Sequence, residues 1–537
     1  MSQGATLLHL RGAAGMDAIY RKICWRLLPL LVLCCAVAWL DRVNVDLVAR
    51  HIGASAAVRD HVHSWGMAAF FLGCCAFAIP GSLLFDRLGT RKMLLCLMLS
   101  WAVLSAASAF VPTPPVFYLL RFLLGACEAG FFPGMILYLT CWFPSGRRAR
   151  AIAVFAAGAV AAAMLAAPLS AAILKTLAPM ATVAPMTSSA SPGPFAGWQW
   201  LLLAQAALPL LLGVYAWCYL DDSPDDAGWL TSFEQQMVGQ DLARDEAQRH
   251  GGSAKDVDDR PAPPALAVLW GLLCSRTIVL LGAANLLLIC AGFAIVHWAP
   301  AMLLRWSAGA AVQLTQSTPA APPVYLGRMV QMVHIGQPGQ SPPSTQPALP
   351  SAVPDAAGLA STAGADGSVS MLTMVGIVCL AGVVGMVAIG HDSDRRRERR
   401  GHFVASTVLA AGGLGLAIAA DGMLAWSLAG LALATIGLAA AAPLLQAIVT
   451  DLLTRAQMAT GVALVTSMGV LGAALGPALA VRLLAWGDAA ALLATLVGAC
   501  LAAGLLLLLA LRLAPRRGGP ASHSGQPDKL TRTSERH

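Results

Sequence analysis

Long apolar runs recur along this chain, each about as long as the ~20 residues a helix needs to cross a hydrocarbon core. Twelve can be placed, at roughly 27–49, 62–85, 93–111, 115–141, 149–175, 198–220, 276–304, 371–390, 402–420, 423–450, 459–485 and 488–514. Inside a bilayer the backbone must satisfy its own hydrogen bonds, so these runs predict an all-α membrane protein with twelve transmembrane helices. A polar stretch at 221–275, rich in Asp, Arg and Gln, divides them six and six. Only 12% of the residues are charged and 58% are hydrophobic, against roughly 25% charged in a soluble domain. The net charge of +8 sits in segments between spans, which argues against a nucleic-acid partner.

The expected organisation is a cytoplasmic N-terminus at 1–26, a first six-helix bundle at 27–220 and a cytoplasmic central loop at 221–275. A second bundle follows at 276–514, then a cytoplasmic tail at 515–537. The segments at 176–197 and 305–370 are rich in Pro, Ser and Ala and read as disordered insertions on the outer side; the tail reads as disordered too. Both termini are placed inside, because the reverse orientation would put the run Arg395–Arg400 outside, against the positive-inside rule. No cleavable signal peptide is expected, since a polar, basic N-terminus leads straight into a full-length span. The 13 cysteines contain no CxxC and read as small packing residues. His61 and His63 lack a third ligand, so no metal site is expected. No cofactor and no enzymatic chemistry are expected either, because neither a nucleophile–base pair nor a metal cluster is present.

Charge inside an apolar run costs at least ~2.5–3.5 kcal/mol and marks function by default. The fourth run carries Arg121 and Glu128, two turns apart and so on one helix face, roughly 10 Å apart along the axis. The first run carries Asp41 and Arg42, with Asn44 one turn beyond Asp41. Arg42 and Arg121 offer forked cations for a carboxylate. Asp41 and Glu128 are carboxylates whose protonation is set by two opposing influences, burial and a nearby arginine. An internal pair between Arg42 and Asp46 would leave Asp41 and the fourth-run charges unexplained. His297 in the seventh run and Thr466 in the eleventh, with Asn44, are candidate cavity liners. Gly130 and Gly134, and Gly472 and Gly476, have the small-xxx-small spacing of close helix packing.

A short element repeats. After the second run stands FDRLGTRK, with Asp86, Arg87, Arg91 and Lys92; after the eighth stands SDRRRERR, with Asp394, Arg395, Arg399 and Arg400. Parallel repeats build one large class of secondary transporters, with the substrate site between the halves at mid-membrane. In that reading Asp86, Arg87 and Arg91, echoed by Asp394 and Arg395, belong to a cytoplasmic gate.

These stretches resemble the anion:cation symporter family of the major facilitator superfamily. RFLLGACEAGFFPGMILYLTCWFPSGRRAR at 121–150 agrees with its fourth-helix pattern almost residue for residue. LDRVNV at 40–45, PGSLLFDRLGTRK at 80–92, FAGWQWLLLAQAALP at 195–209 and PDDAGWLT at 224–231 also look like its signatures. The resemblance implies the major facilitator fold, a bacterial inner-membrane location and proton-coupled import of an organic anion: a sugar acid, a tartrate-like acid or an aromatic carboxylate. It implies proton carriage by Asp41 and Glu128 and anion attraction by Arg42 and Arg121, in a chain acting as a monomer within the lipid bilayer. The chain departs from the family at Thr466–Val470, where amides are usual, at Asp46 and at His297. Two other readings remain: an exporter of the same fold, or a non-transporting membrane sensor. Against the first, the fifth run, AAAMLAAPLSAA, lacks the glycines such exporters carry; against the second, the central loop is short.

Overall fold

In a computed structural model the apolar runs are helices, and there is no strand among the described residues. These residues are 2–40, 56–111, 113–177, 197–250, 264–317, 365–420, 423–485 and 489–514. The first half contains α1 (Ser2–Leu40), α2 (Ala56–Leu88), α3 (Thr90–Ser108), α4 (Pro114–Glu128), α5 (Phe131–Trp142), α6 (Ser145–Leu177) and α7 (Gly197–Tyr219). The connecting region holds α8 (Ser232–His250) and α9 (Ala265–Cys274). The second half contains α10 (Arg276–Ser317), α11 (Ala365–Arg396), α12 (Arg400–Ala419), α13 (Leu424–Leu452), α14 (Arg455–Ala485) and α15 (Ala489–Leu513). Among the described residues eleven spans, with α4 and α5 forming one of them, are long and apolar enough to cross a membrane. The 33-residue α6 stands where the fifth run was expected. Of the expected insertion at 305–370, the first part continues α10 and the last part begins α11. The remainder, most of the 176–197 segment and all of the tail lie outside the described residues.

The fourth span is broken once. Pro133 has no N–H to give the carbonyl four residues back, and α4 and α5 are separated at Ala129–Gly130. In the first half α1 packs on α6, α2 on α4, and α3 on both α4 and α7. In the second, α10 packs on α13, α14 and α15, while α12 packs on α13 and α15. The halves meet along two seams, α2 with α14 and α6 with α11. Glycine permits the closest crossings. A Cβ at Gly125 would collide with the Phe70 carbonyl, and one at Gly472 with the Leu286 carbonyl. Tight packing is therefore what Gly472 does in this conformation.

The repeated element turns at a residue of positive φ in both halves, through one residue in the first and three in the second. Gly89 has φ 81° and Arg397, at the matching place, has φ 52°. Both turn the chain between consecutive helices through left-handed space, which costs a non-glycine residue roughly 1–2 kcal/mol. At Gly89 the next helix is capped by Asp222, whose Oδ1 accepts from the Arg91 backbone N–H at 2.8 Å. A Cβ on Gly89 would stand 2.8 Å from Asp222 Oδ2. Gly89→Ala is therefore expected to destabilise the protein by about 1–2 kcal/mol, seen as a lower melting temperature in detergent. Arg397→Gly, which relieves the same strain, should not lower it; a lowered value there with none for Gly89→Ala would reject this account.

The central stretch is more ordered than its polarity suggests. A reciprocal cap starts α8: the Thr231 N–H donates to Glu234 Oε2 at 2.8 Å, and the Glu234 N–H donates to Thr231 Oγ1 at 3.2 Å. Glu234 also takes Lys22 Nζ at 2.8 Å, and that hydrogen bond is the main cause holding its carboxyl below the usual value. Tyr20 Oη donates to Asp241 at 2.8 Å, and Asp245 accepts from the Ser145 N–H at 3.0 Å and from its hydroxyl. Trp229 stacks on Trp142 at 5.8 Å between ring centres and donates to Asp221 at 2.9 Å. The helix is thus pinned to α1 at Tyr20 and Lys22 and to the first residue of α6.

Candidate functional site

Arg121 and Glu128 both lie on α4 and both are buried, at 3% and 5% exposure. The Arg121 guanidinium carbon lies 5.4 Å from the centre of the Phe117 ring, one turn away on the same helix. The level of the pair is fixed by the α2 crossing, since Gly125 and Phe122 on α4 abut the backbone at Phe70 and Gly73. Asp41, Arg42 and Asn44 lie outside the described residues. Trp39, which comes just before them, reaches across to Phe293 of the other half, with ring centres 5.6 Å apart. Phe71 of α2 meets the same Phe293 ring edge-on at 6.2 Å. His297 lies on α10, one turn beyond Phe293. Thr466 on α14 donates its hydroxyl to the Val462 carbonyl of its own helix at 2.7 Å.

At the end of the bundle that carries the central connecting stretch, the two halves are clasped by charge. Asp394, at the end of α11, accepts from the Ala149 and Arg150 N–H groups at 3.3 and 2.7 Å. These belong to the first turns of α6, where the helix dipole favours an anion. Arg399 bonds Asp451, the Ser145 carbonyl and, at 3.0 Å, the Ala447 carbonyl; it also lies 3.4 Å from Asp394. Arg148, only 1% exposed, reaches Thr450 at 3.4 Å and Asp451 at 3.5 Å across the seam, and donates to the Phe143 carbonyl at 3.2 Å. On the other seam Ser82 donates to the Ala459 carbonyl at 2.9 Å.

The two copies of the repeat differ in what they do. Asp394 is buried against the opposite half, while Asp86, Arg87 and Arg395 are exposed. Arg91 turns to its own half and donates to the Trp217 carbonyl at 3.0 and 3.2 Å. Arg148, Asp451 and Arg399 form the centre of the clasp, and of these only Arg399 is singled out by the sequence, as part of the repeat. One signal was available: an acid, Asp451, closes the tenth apolar run directly before the turn into the eleventh.

The model of the Major Facilitator Superfamily matches residues 31–337 and 344–534. The chain belongs to the major facilitator superfamily. Among relatives of this major facilitator protein, "Putative tartrate transporter" of Agrobacterium vitis is 30% identical over 462 residues, 86% of this chain and 84% of the relative. "Putative metabolite transport protein NicT" of Pseudomonas putida is 27% identical over 464 residues, 86% of this chain and 87% of the relative. These names agree with the anion:cation symporter branch that the motifs resemble. The solved proton:xylose symporter XylE shares the fold, at a TM-score of 0.57 and 12% identity over 91% of this chain and 94% of its own. The chain is a multi-pass membrane protein with transporter relatives.

Proposed function

We propose that this major facilitator protein imports an organic anion together with protons by alternating access. The observation that carries the reading is the burial of a fixed cation and a carboxylate, Arg121 and Glu128, on one helix at membrane depth, where neither is needed for packing. In this reading Arg121 and Arg42 attract the carboxylate, and Glu128 and Asp41 carry protons. The charge clasp around Asp394, Arg399, Asp451 and Arg148 closes the cytoplasmic side, and it must part for release. Importing an anion against a negative interior costs ~2.3 kcal/mol per charge per 100 mV, and protons in excess of anionic charge reverse that sign.

The test is uptake into proteoliposomes. With an inward proton gradient, a labelled carboxylate such as tartrate or benzoate is expected to accumulate inside, and a protonophore should collapse the accumulation. Net extrusion under the same gradient would support the exporter reading; saturable binding without flux would support the sensor.

A further inference from the structure

A histidine between two acids stands beside the clasp, at the turn from α11 into α12. His402, in the first turn of α12, has a carboxylate at each ring nitrogen. Nε2 lies 2.9 Å from Asp392 Oδ2 on α11, and Nδ1 lies 3.0 Å from Glu398 Oε2 in the turn. Other donors hold both acids as anions. Arg396 Nε donates to Asp392 Oδ1 at 3.0 Å, and the Gly401 and His402 N–H groups donate to Glu398 at 2.6 and 3.2 Å. An ionised carboxylate only accepts, and a neutral imidazole has one N–H. Both ring contacts are hydrogen bonds only when the ring is an imidazolium. Its side chain is 17% exposed, so water does little to replace a lost partner.

The ring ties together the two sides of the turn that carries the clasp. Asp392 comes two residues before Asp394, and Glu398 comes directly before Arg399. Arg396 shares α11 with Asp392, so that pair does not join the two helices. The turn keeps its own backbone bond, from the Glu398 N–H to the Ser393 carbonyl at 3.2 Å; loss of the ring contacts loosens its flanks without unfolding it. The helices packed on α12 are α13 and α15. Of their charges, Asp451 meets Arg399 and Arg148, and Arg512 is exposed. His391, on α11, is exposed too. In the first copy of the repeat, the places of Asp392, Glu398 and His402 are taken by Leu84, Thr90 and Leu94. The titratable trio belongs to the copy whose acid grips the opposite half.

We propose that His402 makes the clasp sensitive to proton concentration: its imidazolium pins Asp392 to Glu398 and so holds Asp394 and Arg399 in place across the seam. Loss of the proton turns a nitrogen lone pair toward a carboxylate, and the pin lets go. Histidine is the side chain whose charge ordinarily changes near neutral pH. The closed clasp is therefore favoured at low pH and weakened as pH rises. The inference goes beyond the transport reading, since it concerns the grip between the halves and neither the substrate nor the coupling proton.

The test reads distances between spin labels on the ends of α6 and α11 that meet at the clasp, in the full-length protein in lipid without substrate. In the wild type the ratio of closed to open clasp is expected to fall roughly three- to tenfold from about pH 6 to about pH 9, the worth of two partly exposed ion pairs. His402→Gln, neutral throughout, should show the low ratio already at the lower pH. His402→Arg, a forked cation throughout, should keep the high ratio at the higher pH. Melting curves identify a variant that fails to fold, and the other then carries the comparison. A wild-type ratio that ignores pH, or a folded variant that keeps the wild-type pH profile, would overturn the inference. Because no substrate is present, that failure is distinct from a failure of uptake.

Discussion

Glu128→Gln is expected to abolish proton-driven accumulation while leaving substrate exchange across the membrane intact. The amide has nearly the shape of the carboxyl, so the packing around this buried position should hold, but it cannot take up and release a proton near neutral pH. Each coupled charge moved through 100 mV supplies ~2.3 kcal/mol, an accumulation of roughly 50-fold at equilibrium. Without a proton carrier the ratio should fall to about one. Counterflow, which exchanges labelled for unlabelled anion with no net driving force, should survive and shows that the variant is folded and binds. Full accumulation by Glu128→Gln would remove Glu128 from the coupling mechanism.

The second large effect is expected at the clasp. Asp451 serves two cations, Arg399 at the end of the α11–α12 turn and Arg148 on α6 of the other half. Asp451→Asn removes the only charge of that side chain and leaves the deeply buried Arg148 to face the seam with weaker partners. Breaking a buried pair from one side costs ~3–5 kcal/mol. The protein can avoid most of that cost by parting the halves and letting water reach both arginines. The expected outcome is a shift of the population toward the cytoplasm-open state by a hundredfold or more, about 3 kcal/mol. Distances between spin labels on the cytoplasmic ends of α6 and α11 should lengthen in the variant. Unchanged distances, with the variant folded, would mean the clasp is held by the Asp394 cap on α6 alone.

The motifs show how much was legible. The repeat was read from Asp86 and Asp394 with their following basic residues, and the structure gives it a physical basis in the shared left-handed turn at Gly89 and Arg397. The sequence could not say that the two copies would part company. Asp394 finds the start of a helix in the other half, whereas Asp86 stays exposed, because which acid is engaged depends on how the halves are docked. The same holds for the polar central stretch. A reciprocal cap is visible in Thr231 and Glu234, but the docking of α8 depends on Tyr20, Lys22 and Ser145, which lie far away in the chain.

Sequence alone determined the membrane class, the order of the apolar helices, the superfamily and the rarity of charge at Arg121 and Glu128. Each of these follows from local cost: a backbone in lipid must be helical, and an ion in an apolar run is too expensive to be accidental. Only the tertiary structure decided that Phe293 meets Trp39 and Phe71, and that Arg148, Asp451 and Arg399 join across the seam. Those contacts link residues separated by tens to hundreds of positions, and spacing along a chain carries no information about which helix faces will meet.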